Sequence, residues 1–138
     1  MPLRADISRR IERGRLLAAT LKAFGRIDAL VNNAGIAPRR RSDMLEASES
    51  SFCDLIRTNL QGPHFLTQIV ARHWLKKRPA PALPNGFTVI FVTSISAEIL
   101  SLNRSDYCVS KAGYHARELG LLIQRLAQGS YYTFFGPG

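Results

Sequence analysis

Two rhythms of apolar positions alternate along this chain. In SRRIERGRLLAATLKAFG, Ile11, Gly14, Leu17, Ala18, Leu21 and Phe24 recur at 3.6-residue spacing, with Ser8 placed to cap the start and Gly25 to end the last turn. This predicts an amphipathic helix. IDALVNNAG follows as a short apolar run closing on a polar, glycine-terminated turn, which is how a strand buried in a parallel sheet ends. APRRRSDMLEASES reads as a loop. From Ser48 to about Lys77 the helical period returns, with Phe52, Leu55, Ile56, Leu66, Ile69 and Val70 on one stripe. Pro63 should kink this helix, because a proline inside a helix removes a backbone donor and crowds the preceding turn. RPAPALPNG is a proline-rich connector, FTVIFVT a second buried strand, and SISAEILSLNRS a loop. Residues 106–128 form a third helix, and SYYTFF a last strand stopped by GPG.

Helix, strand, helix, strand, helix, strand, without repeats or low-complexity segments, predicts an α/β fold with a parallel sheet and right-handed crossovers. A chain of 138 residues with 46% hydrophobic content accommodates one domain, residues 1–138.

Composition narrows the setting. The longest apolar run, around FTVIFV, falls well short of the roughly 20 residues a membrane helix needs, and MPLRADISRR lacks the apolar core of a secretory leader. A cytoplasmic protein with no membrane partner is expected. Cys53 and Cys108 stand far apart, with no CxxC pair or His/Cys cluster, so they read as reduced, packed thiols, with neither metal nor disulfide. The net charge of +9 is lopsided: residues 1–41 hold ten Lys/Arg against three Asp/Glu, and the remainder nine against seven. Such a field attracts anions, nucleic acid or an anionic cofactor among them. The arginines of SRRIERGR nevertheless fall mostly on the polar side of the predicted helix, as on a solvated face. With no binding motif and no interleaved aromatics in this part, nucleic acid is disfavoured as a partner.

In open parallel sheets functional groups gather beyond the carboxyl ends of the strands. Here those places hold Asn32, Asn33, Ala34 and Gly35 after the first strand and Ser94, in TSIS, after the second. Such residues bind ligands, and they also satisfy loop backbone groups for purely local reasons. YCVSK sets Tyr107 and Lys111 at i, i+4, on one helical face. An ammonium beside a phenol favours the phenolate, which makes the hydroxyl a usable proton donor to a carbonyl or acceptor from an alcohol. The alternative is a solvated tyrosine and a surface lysine. Asn59 lies on the apolar stripe, so its amide is partly buried and needs partners, either as a structural bond in a kinked helix or as part of a site.

GRIDALVNNAG, TNLQGPHFLTQ, TSISA and YCVSKAG, in that order, resemble the short-chain dehydrogenase/reductase family, and Ser94 stands thirteen residues before Tyr107, as that family's serine does. The resemblance runs from about Ala5 to Gly138, and SLNRSDYCVSKAG is similar to the branch of 3-oxoacyl-acyl-carrier-protein reductases. It implies an oxidoreductase using NAD or NADP (NADPH if the reductase branch holds) on a small carbonyl or alcohol substrate. Tyr107 would be general acid or base. Lys111 would tune it and hold the nicotinamide ribose, Ser94 would orient the substrate oxygen, and Asn59 would hold a water linking Lys111 to solvent. Asn32, Asn33, Ala34 and Gly35 would brace the central sheet and line the adenosine side of the groove. Asp6 and Ile7 would lie near the adenine, and Pro137 and Gly138 would match the turn beside the nicotinamide.

The implied architecture is a Rossmann-like, doubly wound, three-layer sheet that reads here as partial. No TGxxxGxG occurs, so the first βαβ unit with its phosphate turn is missing from the pattern, as is a C-terminal strand. Little or no turnover is therefore expected of the chain. A homo-oligomer through the helices around 48–77 and 106–128 is implied, together with self-association through the strand side left bare. The rival reading is a non-catalytic remnant acting as an oligomerisation or interaction protein.

Overall fold

A computed structural model describes residues 2–77, 80, 82, 86–99 and 102–113, and the backbone of 131–135. Helix α1 (Arg10–Phe24) leads to strand β1 (Ala29–Asn32). Helix α2 (Glu49–Leu55) then runs through a π-helical turn, Ile56–Gln61, into helix α3 (Gly62–Lys77). Strand β2 (Thr88–Val92), a 3₁₀ turn (Ile95–Ala97), helix α4 (Ser105–Ala112) and strand β3 (Tyr131–Phe135) complete the order. The three strands form one parallel sheet, ordered β1-β2-β3, with Ala29 opposite Thr88 and Thr88 opposite Tyr131. The expected α/β class with a parallel sheet is the observed one.

The core lies on one face of the sheet. Val89 and Phe91 of β2 point into it and meet Leu66, Val70 and Trp74 of α3, with Leu16 and Leu17 of α1 and Leu30 of β1 packed around them. The Trp74 ring stacks on Phe87 at 4.7 Å, and its indole N–H donates to the Ile27 carbonyl at 2.8 Å, so its one polar group is satisfied inside apolar packing. On the opposite face Val31 is 55% exposed. The strand expected to be buried on both faces is thus covered on one by the described residues.

Several local expectations shift. Gly25 ends α1 as expected: at φ 73° it adopts the left-handed conformation that glycine reaches without cost, and its N–H donates to the Leu21 carbonyl. At the other end Arg9, not Ser8, is the N-cap, because the Ser8 hydroxyl and N–H are both donated to the Asp6 carboxylate. The predicted stripe of α1 is also displaced. Ile11 and Phe24 are exposed, whereas Arg13 is buried, its Nη1 donating 2.6 Å to the Ile7 carbonyl and its guanidinium lying over the Phe65 ring. A charge enters here because a backbone carbonyl and a ring face both receive it.

The α-helical ladder is not continuous up to Pro63. The chain instead inserts the π-turn just before it, closed by the Gly62 N–H donating to the Arg57 carbonyl, five residues back. The widened turn absorbs the disruption that a proline lacking its N–H brings to the ladder. Close approach fixes Gly62 as well, since a Cβ there would come within 3.0 Å of the Ile7 side chain and carbonyl oxygen. The third helix is described as far as Ala112, and the remainder of the expected 106–128 span lies outside the described residues. No helix among the described residues is long and apolar enough to cross a membrane.

Candidate active site

The π-turn presents Asn59 to the loop beyond β1. Asn59 is 1% exposed; its Oδ1 accepts from the Ile36 N–H at 2.7 Å, and its Nδ2 donates to the Ile36 carbonyl at 3.0 Å and to Ser110 Oγ at 2.9 Å. Both amide hydrogens are therefore committed to protein, and the side chain clamps the loop after NNAG to helix α4. Ser110 is fully buried and passes its own hydroxyl hydrogen to the Tyr107 carbonyl at 2.8 Å.

Lys111 lies beside this clamp. Its Nζ donates to the Val92 carbonyl at the end of β2, at 3.3 Å, and stands 5.8 Å from the centroid of the Tyr107 ring. Burial, which penalises a charged amine, pushes its affinity for a proton below that of an ordinary lysine. Gly35 closes the other side: a Cβ there would meet Asn59 Oδ1 at 3.3 Å and Lys111 Nζ at 3.4 Å. The result is a shelf, open where a side chain would have filled it, in front of an ammonium that makes a single hydrogen bond among the described residues. Such a place suits vicinal hydroxyls, so the residues present fit the ribose of a nicotinamide cofactor.

Ser94 follows two residues after Val92. Its extended backbone starts the 3₁₀ turn, and its Oγ accepts from the Ser96 N–H at 3.2 Å, which leaves the hydroxyl hydrogen to donate elsewhere. Helix α4 packs on this turn, and Lys111 reaches the carboxyl end of β2 at Val92, two residues before Ser94. The start of α4 is held by Asp106, which accepts from the Tyr107 N–H at 2.8 Å and from Ser51 Oγ of α2 at 2.8 Å. Arg104 places its guanidinium 5.7 Å from the Tyr107 ring centroid, so two cations stand near that ring. Ile36 and Asp106 also line a neighbouring cleft of 310 Å³, together with Arg39, Arg40, Glu46 and Asp54.

The other residues expected from the sequence are distributed differently. Asn32 is buried away from this group and donates to Thr67 Oγ1 of α3 at 3.0 Å, while its Oδ1 has no partner among the described residues. Asn33 and Ala34 are exposed. Asp6 lies at the head of α1, where hydrogen bonds from Ser8 hold its carboxyl below the usual range. Ile7 turns its side chain into the core and its carbonyl to Arg13. Pro137 and Gly138 lie outside the described residues. Sequence reasoning missed Ser110, although it shares a helical face with Tyr107 and Lys111, and it missed Arg104 one turn before Tyr107.

A parallel α/β sheet whose strands alternate with helices, with polar residues following the carboxyl ends of its strands, is a Rossmann-type arrangement. Residues 1–122 match the short chain dehydrogenase family, and the chain belongs to it. It is similar to a sepiapterin reductase of Chlorobaculum tepidum, 33% identical over 138 aligned residues that cover 94% of this chain and 53% of that protein. It is likewise similar to a 2-dehydro-3-deoxy-D-gluconate 5-dehydrogenase of Dickeya dadantii, 38% identical over 112 residues, 81% of this chain and 41% of the relative. Among solved structures, a 3-oxoacyl-[acyl-carrier protein] reductase of Brucella melitensis in complex with NAD superposes with a TM-score of 0.80 at 31% identity, over 90% of this chain and 49% of that one. The chain spans about half the length of the curated relatives it matches.

Proposed function

We propose that this chain carries the catalytic half of a nicotinamide-dependent oxidoreductase that interconverts a ketone and a secondary alcohol. The observation that carries this reading is the Lys111 ammonium, buried against the Tyr107 ring and facing the shelf at Gly35. A fixed positive charge at that point stabilises negative charge as it develops on the phenol oxygen, without solvent having to reorganise. Tyr107 then gives its proton to a carbonyl oxygen, or takes one from a hydroxyl. Ser94, its Oγ already accepting from Ser96, donates its own hydrogen to the same oxygen and fixes its position. When bound, NAD or NADP supplies the hydride acceptor or donor. Asn59 acts by locking the Ile36 backbone and Ser110, which sets the distance between the shelf and α4. Its amide hydrogens being spent, a water linking Lys111 to solvent would rest on backbone oxygens.

The names of the relatives support a carbonyl or alcohol substrate and divide over its identity, between a pterin reductase, a sugar-acid dehydrogenase and a 3-oxoacyl reductase. Two copies would join through the helices around 48–77 and 106–128, of which α2, α3 and α4 lie among the described residues. The test is nicotinamide oxidation or reduction by the purified chain over a panel of ketones and secondary alcohols. Tyr107→Phe should lower kcat/KM by about 10²–10⁴, the usual worth of a positioned proton donor. However low the turnover of the chain, a measurable rate that is equal in the two proteins would overturn the proposal.

A further inference from the structure

Arg104 stands just before helix α4 and takes no part in the chemistry assigned to Tyr107, Lys111 and Ser94, yet its placement is tightly determined. Asn103 adopts φ 58°, a left-handed conformation that asparagine tolerates better than most residues and that turns the chain into the helix. Arg104 is the N-cap: its carbonyl accepts from the Cys108 N–H at 3.0 Å, and its backbone bridges in parallel to Ser42 in the loop after β1. Spacings of three and four residues put Arg104, Tyr107 and Lys111 on one face of the helix. There the Arg104 guanidinium lies over the Tyr107 ring, 5.7 Å from its centroid. That face turns to the end of β2, where Lys111 bonds the Val92 carbonyl, while Val109, 51% exposed, lies on the opposite side. A second copy docked on the outward side of α4 would leave the Arg104 face uncovered.

A substrate carbonyl has to approach the Tyr107 hydroxyl, so the part of the substrate that runs along the ring meets Arg104. With Lys111 on the same face, the field there is positive. Asp106, the carboxylate nearest in sequence, is spent on the Tyr107 N–H and the Ser51 hydroxyl. An anionic group a few bonds from the reacting carbon therefore gains a charge-assisted contact that a neutral substituent does not, and the planar guanidinium suits the two oxygens of a carboxylate. The neighbouring cleft sets Arg39 and Arg40 against Glu46, Asp54 and Asp106, so it adds no preference of sign. We propose that Arg104 is a specificity-determining residue that selects oxo acids, and the corresponding hydroxy acids, over neutral ketones and alcohols. The inference rests on the reading of Tyr107 as proton donor and narrows its substrate to carboxylates.

The test is calorimetric titration of the whole chain with pyruvate, acetoacetate and levulinate, each beside its methyl ester, with nicotinamide turnover followed on the same panel. At least one acid should bind at a single saturable site, about tenfold or more tighter than its ester, the effect of one charge-assisted hydrogen bond. Arg104→Gln should bring the acid to the affinity of the ester and leave the ester unchanged, which a merely structural role would not do. Arg104→Lys should restore part of the preference. Tyr107→Phe should keep it, since the hydroxyl removed is not what grips the anion. The proposal is overturned by absence of saturable binding of every acid, by equal affinities for acid and ester, or by Arg104→Gln weakening both alike. Acid binding that depends on Arg104, with a measurable turnover unchanged by Tyr107→Phe, would uphold Arg104 as the selecting charge and sink the proton-donor reading. Turnover lost in Tyr107→Phe, with acid and ester handled alike, would do the reverse.

Discussion

At the scale of single residues the site sets stability against chemistry, and Lys111 shows the balance. The residue is 7% exposed and its ammonium makes one long hydrogen bond, so the folded state holds a charge it solvates poorly. The proton affinity falls from the ordinary value of 10.5 because of that burial. The sign follows directly: between the lowered folded value and 10.5 the unfolded chain binds more protons than the folded one, so stability rises with pH across that window. Below the window the whole cost of the buried charge is present. Lys111→Met should therefore gain about 1 kcal/mol at neutral pH while abolishing turnover, and its stability should lose the alkaline rise. Urea denaturation of both proteins from neutral to alkaline pH measures this; parallel curves would refute it. Tyr107, Lys111 and Asn59 were legible in the sequence because helical spacing puts the first two on one face and an apolar stripe forces the third inside. Ser110 was not, since a serine within a helix reads equally well as solvated or as bonded to its own backbone. Only the approach of the π-turn shows that its hydroxyl joins Asn59 to Tyr107.

At the scale of elements, the helices and strands followed from periodicity, but their joints did not. The six-residue π-turn leaves the apolar rhythm on either side nearly intact, so the sequence announces a disturbance at Pro63 without saying what form it takes. Burial of Arg13 was hidden for a different reason: its partners, the Ile7 carbonyl and Phe65, come from a preceding loop and from α3. At Gly62 this joint leaves little room for a side chain. Ala at Gly62 would press its methyl against the Ile7 carbonyl, and backbone does not step aside as a side-chain tip does. Overpacking of this kind costs about 1–3 kcal/mol, against at most ~1 kcal/mol gained in helix propensity. Gly62→Ala should lower the denaturation midpoint without changing its slope, and by loosening the head of α1 it should leave the Tyr107 and Lys111 geometry in place. A midpoint equal to or above that of the wild type would show that α1 yields freely to α3.

For the molecule as a whole, sequence order predicted a parallel sheet with one strand side left bare, and the register emerged only from the folded chain. Among the described residues β1 is an edge strand: one side pairs with β2 and the other presents unpaired backbone groups. The far face of that strand adds Val31, 55% exposed, and Ala29, also exposed. An open edge beside an apolar face is a template for another strand, and proteins that keep such edges apart place lysine or proline there. The net charge of +9 opposes association at low ionic strength, and salt screens that repulsion without weakening strand pairing. The chain should therefore show a mass above that of a monomer in sizing with light scattering, increasingly so as salt is raised. Val31→Lys, which adds a charge to the bare face and removes no core contact, should shift the population toward monomer at every salt concentration. A wild-type chain that stays monomeric in high salt would mean that the outer side of β1 is already satisfied within one molecule, and that the strand does not recruit a second copy.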